Sequence, residues 1–272
     1  MLIDSHCHLD AAELAPELDH HLRQARAKGV VAMIVPAVKP QTFSQVQAVA
    51  QRYPGVYYTL GIHPMVAHQY TERDLKQLSD TVARAMHDPR FVGLGEIGLD
   101  FFDKEKTTDQ LKTHQETCFQ VQLALARQYD LPVILHVRRA QDRVLKYLRQ
   151  RPGLKGIAHA FNGSQQQAQA FIALGFCLGF GGAATFDRAR QIRRLAQSIP
   201  LPHLVLETDA PYALPAWLGQ GPNQPAELLG IAQTIAQLRQ IPVAELSQQS
   251  NLNVLKCFHR INPMEIFDET LL

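Results

Sequence analysis

Residues 1–10 read MLIDSHCHLD, a short apolar run (LIDS, 2–5) followed at once by His6 and His8. In an extended strand residues i and i+2 point to the same face, so a strand ending here aims two imidazoles side by side. That geometry suits a metal ion, but two of twelve histidines in a polar turn could also meet by chance. The pattern gains meaning only because it recurs along the chain.

Further apolar runs of strand length follow: VVAMIVPA (30–37), VYYTLGIHP (56–64), FVGLGEIG (91–98), PVILHV (132–137), KGIAHAF (155–161), FCLGFGG (176–182) and HLVLETDAP (203–211). Longer amphipathic stretches lie between them, such as LAPELDHHLRQARAKG, with Gly29 placed to end a helix, DLKQLSDTVARAMHD, QLKTHQETCFQVQLALARQYD and RARQIRRLAQSI. The tail beyond residue 223 reads as two more helices, the second with Pro242 suited to its first turn. Continuous Val/Ile/Leu-rich runs are expected of parallel strands buried on both faces. Eight of them alternating with helices over 272 residues predict one domain, 1–272, folded as an α/β (β/α)8 TIM barrel.

In such a barrel the chemistry sits at the carboxyl ends of the strands. Those ends carry His6 and His8 on the first, His63 on the third, Glu96 on the fourth, His136 on the fifth, His159 on the sixth and Asp209 on the eighth. Each alone reads as a core residue with an ordinary partner. Together they read as a metal centre, because buried imidazoles and carboxylates need partners and a cation serves all of them. Four histidines and two carboxylates exceed one tetrahedral site, which predicts two divalent ions. One is expected on His6, His8, Glu96 and Asp209, the other on Glu96, His136 and His159, with Glu96 bridging. Nitrogen and oxygen donors without thiolate suit Zn²⁺, Mn²⁺ or Ni²⁺, and less comfortably Mg²⁺. Two divalent ions outweigh two carboxylates, so an anionic substrate is expected, and a paired site suits displacement at phosphorus.

The remaining composition narrows the class. Apolar residues make up 46% and charged residues 19%, and the net charge of +2 does not announce a nucleic-acid binder. The longest apolar run, GVVAMIVPAV, is too short to span a membrane. No secretion signal is apparent, and Cys7, Cys118, Cys177 and Cys257 form no CxxC pattern. We therefore expect reduced cysteines, a cytoplasmic location, no membrane partner and no obligate protein partner.

The motifs DSHCHLD, GIHP, GEIGLDFF, LPVILHVRRA, AHAFNGS, GFGG, LETDAP and NLNVLKCF, spread over nearly the whole chain, resemble the TatD-type metal-dependent deoxyribonucleases, a branch of the metallo-dependent hydrolases. The resemblance implies a TIM barrel, a divalent metal pair and hydrolysis of phosphodiester bonds in DNA, commonly from a 3′ end. It carries the family's metal positions onto His6, His8, Glu96, His136, His159 and Asp209. Glu96 stands where amidohydrolase branches of the superfamily use a modified lysine. A loop that is basic in many members (R-G-K-R-N-E-P) reads WLGQGPNQPAEL here, residues 217–228, without Lys or Arg. Any grip which that loop exerts on phosphate is missing. The alternative is an ester or amide hydrolase on the same site, such as a D-aminoacyl-tRNA deacylase.

Asp209 is the expected general base as well as a ligand. Glu207, two residues earlier, orients a ligand or pairs with a barrel arginine. His63 contacts the scissile phosphate or anchors the GIHP turn. Arg138 holds a phosphate or makes a surface salt bridge. Asp100 positions its loop or a ligand histidine. Phe101, Phe102, Tyr212 and Trp217 stack on bases or cover the core edge. His20 and His21 are expected on a solvated helix face.

Overall fold

The computed structural model describes residues 1–103 and 107–267. Eight strands form one parallel sheet in chain order: β1 (Leu2–Asp4), β2 (Val30–Pro36), β3 (Val56–Leu60), β4 (Phe91–Asp100), β5 (Val133–Arg138), β6 (Gly156–Ala158), β7 (Phe176–Phe180) and β8 (Leu204–Leu206). Each neighbouring pair is in parallel register, as in Met33 opposite Val56 and Val133 opposite Gly156. Backbone bonds past the ends of β8 and β1 complete the barrel: Ser5 N–H donates to Leu206 O (3.1 Å), Asp209 N–H to His6 O (2.8 Å) and His8 N–H to Ala210 O (2.7 Å).

Helices cover the outside: α1 (Leu18–Ala27), α2 (Phe43–Arg52), α3 (Glu72–Ala85), α4 (Asp109–Gln128), α5 (Gln141–Arg149), α6 (Gln165–Ala173), α7 (Arg190–Ser198), α8 (Leu228–Arg239), α9 (Val243–Cys257) and the short α10 (Pro263–Phe267). Their ends follow local chemistry. Thr71 with Asp74 and Ser164 with Gln167 form capping boxes at α3 and α6. Gly29 takes φ +82° just past α1, as expected for a glycine ending a helix. Pro242 lies one position before α9 rather than within its first turn. His20 is exposed, but His21 is buried and packs inward, which corrects the solvated-face expectation for that residue. No helix among the described residues is long and apolar enough to cross a membrane.

Two apolar layers hold the barrel. One lies between strands and helices. The other fills the lower barrel with at least one residue from each strand (among them Ile3, Ile34, Tyr57, Val92, Ile134, Ile157, Cys177 and Val205), packed on Val254, Phe258, Ile261 and Ile266. Burying each large apolar side chain stabilises by roughly 1.5–3 kcal/mol. The plug also closes one end, so the open mouth is at the carboxyl ends of the strands. Helix α9 seals the seam below the β8–β1 backbone bonds: Asn251 Oδ1 accepts from Ile3 N–H (2.9 Å), and Ser250 Oγ from Leu206 N–H (3.0 Å). Asn253 donates to Leu204 O (2.7 Å). The plug brings together Cys177 and Cys257, 80 residues apart in sequence, with their sulfurs at 3.6 Å.

Candidate metal centre

Alternation along a strand carries the inward face from the plug up to the mouth. Ile134 leads to His136, Ile157 to His159, and Val205 to Glu207 and then Asp209, whereas on β4 a register shift between Leu94 and Ile97 brings Glu96 to the mouth. The backbone bonds at the seam bring His6 and His8 against Asp209. Asp209 itself takes φ +54°, a left-handed conformation that Asp tolerates better than most residues, and its carbonyl accepts from Tyr212 N–H at 2.7 Å.

The six expected ligands converge, and His63 joins them. His6 Nε2 and His8 Nε2 lie 3.1 Å apart, and each is 3.5 Å from Asp209 Oδ1. Glu96 faces both halves of the cluster. Its Oε2 is 3.4 Å from His6 Nε2 and 3.7 Å from His8 Nε2. Its Oε1 is 2.8 Å from His136 Nδ1, 2.9 Å from His159 Nε2 and 3.3 Å from His63 Nε2. Three overlapping groups could each hold an ion: His6–His8–Asp209, His6–Glu96–His159 and His63–Glu96–His136. The last adds His63 to a set from which the sequence reading left it out, and His6 is shared between the first two.

Among the described residues no lysine or arginine forms a salt bridge with this cluster, and its histidines and carboxylates shift one another's proton affinities. Burial opposes the charge of Glu96, but His159, His63 and His6, with a hydrogen bond from His136, outweigh it and hold the carboxyl well below its usual range. Burial also opposes the charge of Asp209, and the His8 hydrogen bond overcomes it to lower that pKa. Burial keeps His6 and His63 below the usual imidazole range. At His8, His136 and His159 burial acts the same way but is overcome by Asp209, by Asp100 and by Glu96 respectively, so these three bind protons more tightly than free imidazole. Buried nitrogen and oxygen donors that hold each other's protons fit divalent cations.

Supporting groups fix the ligands. Asp100 Oδ2 meets His136 Nε2 at 3.0 Å while its Oδ1 accepts from Phe102 N–H at 2.9 Å, so it positions both the histidine and the loop. Glu207 Oε1 accepts from Ala160 N–H (2.5 Å) and lies 3.7 Å from His159 Nδ1. Among the described residues no arginine pairs with Glu207, so the ion-pair reading is set aside. Arg138 likewise makes no salt bridge there; its guanidinium lies 3.6 Å from the Phe102 ring centroid. Of the four aromatics, Phe101 packs partly into the core. Trp217 donates from Nε1 to Glu227 (2.6 Å) and packs on Gly230 of α8. Phe102 and Tyr212 remain exposed at the mouth, Tyr212 with its ring 5.6 Å from that of His8.

Two residues escaped the sequence reading. Asp4 is fully buried, and burial pushes its carboxyl up to about 7. It accepts from His6 N–H (3.2 Å), Thr208 N–H (3.0 Å) and Thr208 Oγ1 (2.5 Å), tying the two ligand-bearing ends together. Its position inside DSHCHLD was the available signal. Asn223, buried in the cation-free loop, donates to Thr208 O (2.8 Å) and Tyr212 O (2.9 Å). Nothing local marks that asparagine, because its partners lie 11 and 15 residues away.

Comparison with known proteins places the chain in a family. A family model described as "TatD related DNase" matches residues 3–259. The chain is 36% identical to the "Uncharacterized metal-dependent hydrolase YjjV" of Escherichia coli K12, over 94% of this chain and 97% of that protein. It is 34% identical to the "3'-5' ssDNA/RNA exonuclease TatD" of Klebsiella pneumoniae strain 342, over 94% and 97% of the two chains. The crystal structure of the E. coli YjjV protein, a TatD homologue, superposes with a TM-score of 0.87 at 34% identity, covering 95% of this chain and 98% of that one.

Proposed function

This chain belongs to the TatD-related DNase family and is a metal-dependent hydrolase, and on that premise we propose that it cleaves phosphodiester bonds of single-stranded DNA, removing nucleotides from a 3′ end. The observation that carries the reading is the divided carboxylate of Glu96, with Oε2 toward His6 and His8 and Oε1 toward His63, His136 and His159. Two divalent ions (Zn²⁺, Mg²⁺ or Mn²⁺) would be held by His6, His8, Glu96 and Asp209 on one side and by Glu96, His136 and His159 with His63 on the other. Bound ions there supply Lewis acidity, acidifying water and offsetting charge on the phosphoryl oxygens.

The protein's own residues do the rest. Asp209, mostly buried but reaching the rim and held as the carboxylate by His8, takes the proton of the attacking water. Arg138 holds a non-bridging phosphate oxygen beside His136. Asp100 and Glu207 keep His136 and His159 in orientation, a supporting role worth 10–100-fold in comparable sites. Similarity to the Klebsiella pneumoniae protein named a 3'-5' ssDNA/RNA exonuclease supports the choice of polymer and direction.

The test is chelator-stripped protein on end-labelled single-stranded DNA, with Mg²⁺, Mn²⁺ or Zn²⁺ restored singly and Asp209→Asn alongside. Stepwise, metal-dependent shortening from the 3′ end, lost in the variant, is expected. No cleavage by protein shown to hold its ions would move the assignment to an ester or amide hydrolase.

A further inference from the structure

If the substrate is a nucleic-acid strand, its backbone needs cations beyond the cleaved bond, and the mouth offers few. The segments 5–17, 61–71, 159–164 and 207–227 beyond the strand ends carry no lysine or arginine. Lys39 and Arg188 are single cations on their loops. One place differs. At the end of β5 the consecutive exposed residues Arg138 and Arg139 converge on the exposed ring of Phe102, their guanidinium carbons 3.6 and 4.8 Å from its centroid. Among the described residues neither arginine forms a salt bridge.

This patch is tied directly to the metal centre. Phe102 N–H donates to Asp100 Oδ1, and the other oxygen of Asp100 holds His136. Outward from it runs an open groove of about 530 Å³ that includes Arg139, Gln141, Arg143 and Lys146. Arg143 is engaged by Glu116 at 2.5 Å, which leaves Arg139 and Lys146 as the groove's available cations. Arginine matches phosphate oxygens two at a time, whereas lysine offers a point charge to a flexible backbone.

Resting on the nuclease reading above, we infer that the strand leaves the metal centre across β5 and α5, with successive phosphates on Arg138, Arg139 and Lys146 and Phe102 as the apolar wall beside them. This route takes the place of a grip by residues 217–228, which hold no cation. The site is therefore built for a chain of several nucleotides rather than for an isolated phosphodiester.

The experiment compares wild type with Arg139→Ala/Lys146→Ala on dTpdT and on (dT)10, at several salt concentrations. Both substituted side chains are exposed, and circular dichroism checks that the fold is kept. For (dT)10 we expect KM to rise at least tenfold with kcat within twofold, and the KM penalty to be several times smaller for dTpdT. The salt slope of 1/KM should fall by about 1.4, from two lost contacts at about 0.7 each on a single strand. An unchanged KM and slope for (dT)10, or equal penalties on both substrates, would overturn the route while leaving nuclease action standing. A wild type that cleaves neither substrate overturns the nuclease reading and this inference with it.

Discussion

Gly179 of β7 and Glu207 share one volume: a Cβ placed on Gly179 would overlap Glu207 Oε2. The glycine therefore makes room for the carboxylate that faces His159, and the GFGG run is a spatial requirement of the metal centre. Gly179→Ala should displace Glu207 and loosen His159. We expect a 10–100-fold drop in metal affinity or kcat with the fold intact by circular dichroism. Full metal content and full activity in the variant would refute the coupling.

His63 separates two roles by stoichiometry. Its Nε2 lies 3.3 Å from Glu96 Oε1, while its Nδ1 accepts from Met65 N–H at 3.2 Å. As a ligand, His63→Ala should weaken one of two bound ions 10–100-fold, seen by equilibrium dialysis with elemental analysis. As a turn anchor only, it should leave two ions bound with affinity unchanged.

Metal affinity should rise with pH. In the metal-free protein His8, His136 and His159 have raised pKa values, so each keeps its proton above the ordinary imidazole range near 6.5. A ligating imidazole must be neutral, so protons compete most at low pH and the competition fades as pH rises past those raised values. Competition against a chelating dye should show at least tenfold weaker binding at pH 6 than at pH 8. A flat profile would mean that these histidines do not bind the ion.

The seam should be a weak point of the fold when α9 is altered. Asn251→Ala orphans the buried Ile3 N–H and also removes the bond to Met1 O at 3.0 Å. Leaving such a group unpaired costs about 1–3 kcal/mol. Urea unfolding should report a loss in that range, and a loss below about 0.5 kcal/mol would show that water replaces the asparagine.

The strands were legible because parallel strands buried on both faces have to be largely apolar, as VVAMIVP is throughout and as FVGLGEIGLD is apart from Glu96 and Asp100. The convergence of the candidate ligands was legible because each residue closes one of those runs. His21 misled because its neighbour is exposed and a doublet does not say which member faces inward. The roles of Arg138 and Trp217 were not legible, since exposed side chains at strand ends and on loops are placed by neighbours distant in sequence.

The amino-acid sequence by itself determined the barrel, the end that carries the chemistry and six candidate ligands, because strand periodicity sends residues two apart to one face. Tertiary structure alone decided how those residues are shared. The split of the Glu96 oxygens, the entry of His63, the hold of Asp4 on Thr208 and the fit of Glu207 over Gly179 all join segments from different strands. Such contacts depend on the stagger and closure of the barrel, which no local run of residues encodes.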